Sequence, residues 1–110
     1  MLELTEKTFD QVVEANANLV IEFSAEWCAP CKSFRQVLEN VEKDYSDFLF
    51  AAVDIDKEKQ LAEEFEVRSI PALMILRNRT VVSVETGIIA ESVLRELLTK
   101  AQQLNLDQVS

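Results

Sequence analysis

The chain has 110 residues, 48% apolar and 28% charged, a length and balance that suit one globular core and exclude a disordered or predominantly membrane-embedded chain. Its 11 basic and 20 acidic residues set a net charge of −9, which repels a nucleic-acid backbone and is read as solvated helix faces that keep the protein soluble. With no histidine and only 2 cysteines, most metal sites and all histidine-based catalysis are excluded, leaving thiols, carboxylates and lysines for chemistry.

Along the chain, strand-like and helix-like patterns alternate. Leu2 and Leu4 begin a short alternating strand, and residues 8–14 predict a helix in which Thr8 and Gln11 have capping-box spacing and Phe9, Val12 and Val13 form an apolar face. A turn over 16–18 leads into 19–24, a nearly unbroken apolar and partly β-branched run that reads as a buried strand ending at the cysteine segment. From 31 to 43, Phe34, Val37, Leu38 and Val41 recur at three- and four-residue spacing, predicting an amphipathic helix. Residues 48–55 read as a second buried strand, and 57–65 as a short helix with Leu61, Ala62 and Phe65 inward. After Ile70-Pro71, strands over 72–77 and 80–85 are joined by Asn78-Arg79, a connection short enough to predict an antiparallel hairpin. Residues 91–103 carry Val93, Leu94, Leu97, Leu98 and Ala101 at helical spacing, and a polar tail, 105–110, follows. Without repeats or linkers, residues 1–110 read as a single domain with its core over about 2–104. The order β-α-β-α-β-α-β-β-α implies an α/β architecture, a mixed sheet with helices on both faces.

Chemistry is concentrated in Cys28-Ala29-Pro30-Cys31, where a buried strand gives way to a helix. In a first helical turn residues i and i+3 share a side, so sulfurs at this spacing close a disulfide without large backbone movement. Free N–H groups and the positive helix end stabilise a thiolate, which makes Cys28 the more acidic, exposed thiol and the nucleophile. Cys31, one turn deeper, is placed to resolve a mixed disulfide, and Pro30, needing no N–H partner, stiffens the turn. Three uses of the pair compete. A structural staple across so short a loop is worth only about 2 kcal/mol, and zinc would lack half its ligands unless two chains met at the site. No apolar run reaches the roughly 18 residues of a membrane span, and the start Met1-Leu2-Glu3-Leu4 lacks a basic region before an apolar one. A reducing, cytoplasmic setting is therefore expected, which favours thiol exchange, the third use. Glu22, within an apolar run, is costly to bury charged, and burial would raise its pKa; an outward-facing edge position is the alternative.

The segments Val20-Ile21-Glu22-Phe23-Ser24-Ala25-Glu26-Trp27-Cys28-Ala29-Pro30-Cys31-Lys32, Val53-Asp54-Ile55-Asp56, Val67-Arg68-Ser69-Ile70-Pro71-Ala72 and Gly87 carry a resemblance, in order and across about residues 2–104, to the thioredoxin family. A bare Cys-x-x-Cys is weak; Trp27 before it, Pro30 inside it and Ile-Pro about forty residues on make the combination specific. The resemblance implies the thioredoxin fold and a dithiol–disulfide oxidoreductase that reduces the disulfides of client proteins. It implies no organic cofactor and recycling by an NADPH-dependent reductase; a monomer is expected. It further implies a cis bond at Ile70-Pro71, where spacing alone would favour an ordinary trans proline opening a strand. Ile70 would offer its backbone to the client, and Trp27, Ala29, Pro30, Ile70, Pro71, Gly87 and Ile88 would form a client-docking patch. Glu22 stands where the family has an aspartate that accepts the proton of the resolving cysteine, here Cys31, through water. Beside the exposed thiol Trp27 is read as shielding the site and contacting partners, with a core aromatic as the alternative, and Lys32 is either a cation near Cys28 or a solvated side chain.

Five positions depart from the family pattern: Glu22 for aspartate, Ser24 for tryptophan, and Ala29, Ser69 and Arg79 for glycine. At Arg79 a positive φ would cost on the order of 1 kcal/mol. The departures leave redox potential and partner choice open. They also sustain a second reading, a specialised thioredoxin-fold binding module or a more oxidising, isomerase-like protein.

Overall fold

The computed structural model describes residues 1–104; the polar tail read at 105–110 lies outside the described residues. The apolar patterns become β1 (Leu2–Glu3), α1 (Phe9–Ala15), β2 (Asn18–Ser24), α2 (Ala29–Glu42), β3 (Leu49–Asp54), α3 (Lys59–Glu64), β4 (Ala72–Arg77), β5 (Thr80–Thr86) and α4 (Glu91–Gln103). One mixed 5-stranded sheet runs in the order β1-β3-β2-β4-β5, with β1, β3 and β2 parallel, β4 antiparallel to β2, and β5 antiparallel to β4.

β2 lies at the centre, so both its faces are covered, and alternation decides which side chain goes to which layer. Val20 joins Phe50, Leu73 and Ile75 against Phe34, Leu38 and Val41 of α2 and Leu94, Leu98 and Ala101 of α4. Leu19, Ile21 and Phe23 join Ala51, Val53, Met74 and Leu76 against Phe9 of α1 and Leu61 of α3. The expected mixed sheet with helices on both faces follows from this division. Glu22 shares the parity of Val20 and lies on the α2 side, between Ala52 of β3 and Leu73 of β4.

Three helix starts differ from expectation, α3 opening at Lys59 rather than at residue 57. Thr8 makes no side-chain cap to α1, so the capping box with Gln11 does not form. The segment before it is already coiled, with the Thr8 and Phe9 amides both donating to the Thr5 carbonyl, and the Thr8 hydroxyl turns back to accept from Thr5 N at 3.0 Å. α2 begins at Ala29 rather than at Cys31, because Pro30 fits a first turn without needing an amide partner.

In the hairpin, Asn78 (φ 51°) and Arg79 (φ 66°) are both left-handed, as a two-residue turn matched to strand twist requires. Past the turn, Leu76 pairs with Val81 but Ile75 pairs with Ser83, which makes Val82 the extra residue of a β-bulge. Val82 packs on the α2–α4 side, whereas Val81 and Val84, opposite Leu76 and Met74, are exposed on the other. A β-carbon at φ 66° strains the backbone by roughly 1–2 kcal/mol, while glycine there loses roughly 0.4–1 kcal/mol through the freer unfolded chain. Arg79→Gly is therefore expected to stabilise the fold by up to about 1 kcal/mol. A higher urea midpoint at unchanged slope checks this, and a lower midpoint contradicts it.

Candidate active site

Past β2 the chain turns, with Cys28 N donating to the Ala25 carbonyl at 3.2 Å, and Cys28 becomes the N-cap of α2 with extended backbone (φ −90°, ψ 101°). Its sulfur accepts the Cys31 amide at 3.2 Å, the role usually taken by a serine or aspartate oxygen. Ala29 and Pro30 complete the first turn, and a disulfide joins Cys28 to Cys31. Cys28 is not the exposed residue the sequence suggests: it is only 4% accessible. Its sulfur is bonded to Cys31 and turned to the helix amide, and Ala25, Ile55 and Ile70 pack around the pair.

Ile70-Pro71 is a cis peptide, and Gly87 N donates to the Pro71 carbonyl at 2.8 Å. Gly87 has φ 81° with open space where a β-carbon would stand, so backbone conformation rather than crowding calls for glycine. Trp27 is 69% exposed and donates from Nε1 to Asp56 Oδ2 at 2.7 Å, so it is not a core aromatic. Ile88 is also exposed. Ile70 thus meets the cysteines directly, Pro71 and Gly87 are tied to each other, and Trp27 and Ile88 present apolar surface to solvent. Lys32 lies with Cys31 and Arg35 on the wall of an open cleft of about 700 Å³.

Glu22 is fully buried, which removes the edge-charge alternative. Its Oε1 accepts from Arg35 Nε at 2.8 Å, whereas Oε2 has no partner. The far end of Arg35 reaches toward Glu3, Nη1 to Oε1 at 3.7 Å. Burial raises the Glu22 pKa, the Arg35 hydrogen bond and charge pull it down, and Glu3 and Glu39 push it up again; the result is a raised value. Sequence reading did not single out Arg35 or Asp56. A signal for Arg35 existed, since it follows Cys31 by one helical turn on the helix that covers Glu22.

A disulfide that caps a helix at the end of a buried central strand, packed beside the residue preceding a cis proline, defines a thiol–disulfide oxidoreductase. Comparison with known proteins gives the family. The Thioredoxin family profile matches residues 1–100. The chain is 39% identical over 108 residues to a Streptomyces coelicolor protein provisionally named thioredoxin 2, covering 98% of this chain and 81% of that one. It is 34% identical over 99 residues to the thioredoxin of Mycoplasmoides gallisepticum, covering 89% and 99%. The structure of Plasmodium falciparum thioredoxin superposes with a TM-score of 0.84 at 29% identity, over 91% of this chain and 98% of that one. The chain belongs to the thioredoxin family and is a protein dithiol–disulfide oxidoreductase.

Glu22 also affects stability. Its folded-state pKa lies above the ordinary 4.5, so between those two values the native state holds more protons than the unfolded one, and stability falls as pH rises through that window. Glu22→Gln is expected to remove this loss, raising the urea midpoint at pH 7 but not at pH values below 4.5. A gain that did not vary with pH would contradict the assignment.

Proposed function

We propose that this chain acts as a monomeric, single-domain, cytoplasmic reductant of client-protein disulfides, recycled by an NADPH-dependent reductase. The observation that carries the division of labour is the Cys31 amide on the Cys28 sulfur. That amide and the helix N-terminus favour a thiolate at Cys28, the nucleophile. The Cys28 thiolate attacks one sulfur of a client disulfide; an S–S bond forms to Cys28, the client bond breaks, and one client thiolate leaves. Cys31 then gives its proton to Glu22 through water, attacks Cys28 Sγ, and releases the second client thiolate as the Cys28–Cys31 disulfide closes. Glu22 suits the acceptor role because Oε2 is unpartnered and desolvation raises its proton affinity. Lys32 acts as a solvated cleft-wall side chain.

Docking falls to the surface around the disulfide: exposed Trp27 and Ile88, Ala29 and Pro30 in the first turn, and Ile70, Pro71 and Gly87. An extended client segment would pair with the Ile70 backbone. The oxidised pair must regain two electrons, which supports a separate reductase. Among the described residues no helix is long and apolar enough to cross a membrane, and the net charge of −9 disfavours nucleic acid. One sheet with a core on each face supports the single-domain reading.

Cys31→Ser is expected to accumulate covalent mixed disulfides with clients, visible on non-reducing gels and dissolved by dithiothreitol, whereas Cys28→Ser traps none. Trapping by the Cys28 variant instead would reverse the two roles. The wild-type potential is expected near the −270 mV typical of thioredoxin, with rapid insulin reduction; a potential many tens of millivolts higher would favour the isomerase-like reading.

A further inference from the structure

We propose that Arg35 is a positioning residue for the resolving step: it holds one oxygen of Glu22 and fixes the proton-accepting state of the other. The inference deepens the assignment of Glu22 as proton acceptor and rests on it.

The geometry is specific. Glu22 lies on the face of β2 covered by α2, flanked in register by Ala52 and Leu73, which offer no polar side-chain atoms. The hydrogen bond from Arg35 Nε occupies Oε1 and leaves Oε2 buried and free. Arg35 stands one helical turn after Cys31, and the two residues line the same cleft. A single Nε–H thereby holds one oxygen of the carboxylate and leaves the other without a protein donor, open for a proton.

The charged groups acting on Glu22 among the described residues are Arg35 and Glu39 from α2 and Glu3 from β1. α4 contributes Leu94 and Leu98 to this side of the sheet, and the cleft's other cations, Lys32 and Lys57, are exposed, Lys57 being paired with Glu26. Two carboxylates thus oppose ionisation of Glu22, and Arg35 favours it. Without Arg35, Glu22 would hold its proton to higher pH and accept the one from Cys31 less readily at a given pH. Glu3 competes for the outer end of Arg35 and repels Glu22, so its removal acts in the opposite direction.

The test uses the whole reduced protein and an aromatic disulfide whose thiol leaving group absorbs visible light, followed by stopped flow. The first equivalent of thiol reports attack by Cys28, and the second reports attack by Cys31 on the mixed disulfide. Glu22→Gln is expected to slow the second phase by roughly a hundredfold, the lower range for a lost general base. Arg35→Met is expected to slow it at pH 7 by about tenfold and to move the midpoint of its pH profile upward, as loss of one adjacent opposite charge does. Arg35→Lys restores most of the rate, and Arg35→Met adds nothing on the Glu22→Gln background. Glu3→Gln, an exposed change that leaves the buried pair intact, moves the midpoint downward and keeps the test decisive if Arg35→Met fails to fold. Carbon NMR titration of the Glu22 carboxyl should move with the kinetic midpoint in each variant.

If Glu22→Gln leaves the second phase untouched, the acceptor assignment falls and this inference falls with it. If Glu22→Gln slows it while the Arg35 and Glu3 variants leave the midpoint in place, only the role of Arg35 is overturned.

Discussion

The first turn of a helix exposes amides that no helical carbonyl can reach, and at the start of α2 the Cys28 sulfur accepts one of them. Much of the site depends on that contact. It fixes where β2 ends and α2 begins, and it sets Cys28 at the positive end of the helix. The donor amide is that of Cys31, so the residue that caps the helix and the one that gives the amide are also the two whose sulfurs close the disulfide. Ala29 and Pro30 fill the turn between them, Pro30 without an amide that would need its own partner. A single N–H thus serves both as helix cap and as stabiliser of the charge that makes the sulfur reactive.

Behind the disulfide, the double coverage of β2 has a second chemical effect. In a strand covered on both faces every side chain enters a packed layer, and Glu22 enters one otherwise filled by Val20, Phe34, Leu38, Phe50 and Leu73. A carboxylate there is tolerated because Arg35 lies along α2 with its stem in the structure and its far end toward solvent, so it supplies a charge-assisted hydrogen bond without being fully desolvated. Oε2 of this carboxyl has no hydrogen-bond partner from the protein. A buried titratable group with one oxygen free of protein donors suits a proton acceptor, and it is uncommon in a position that serves packing alone.

The layers were legible in the sequence because each is written in a single periodicity. Residues 19–24 and 48–55 are apolar on both parities, which only a strand covered twice can satisfy, and Phe34, Leu38 and Val41 fall at helical spacing on the face that covers them. The cysteine pair was legible from a four-residue motif, whereas Gly87 was legible only through the family resemblance, its left-handed backbone being visible in the structure alone. Thr8 was misread because the capping box has its residue pattern there, and only the coiling of the preceding turn diverts the hydroxyl. Arg35 and Asp56 were missed because each acts across elements, Arg35 13 positions from Glu22 and Asp56 29 positions from Trp27. A buried carboxylate calls for a cation, and α2 carries two basic side chains, Lys32 and Arg35; position relative to Cys31, rather than residue type, picks out the one that reaches it.

The bulge at Val82 has a consequence for the exposed margin of the sheet. β5 is an edge strand seven residues long without proline, the kind of margin along which chains can add to one another. The extra residue interrupts the ladder and increases local twist, so the outer row of amides and carbonyls does not form a straight template for another strand. At the opposite margin β1 spans only two residues and offers little length to pair with. The two edges are thus shielded by different means, one by distortion and the other by brevity, and a substitution that straightened β5 would carry its cost in self-association rather than in catalysis.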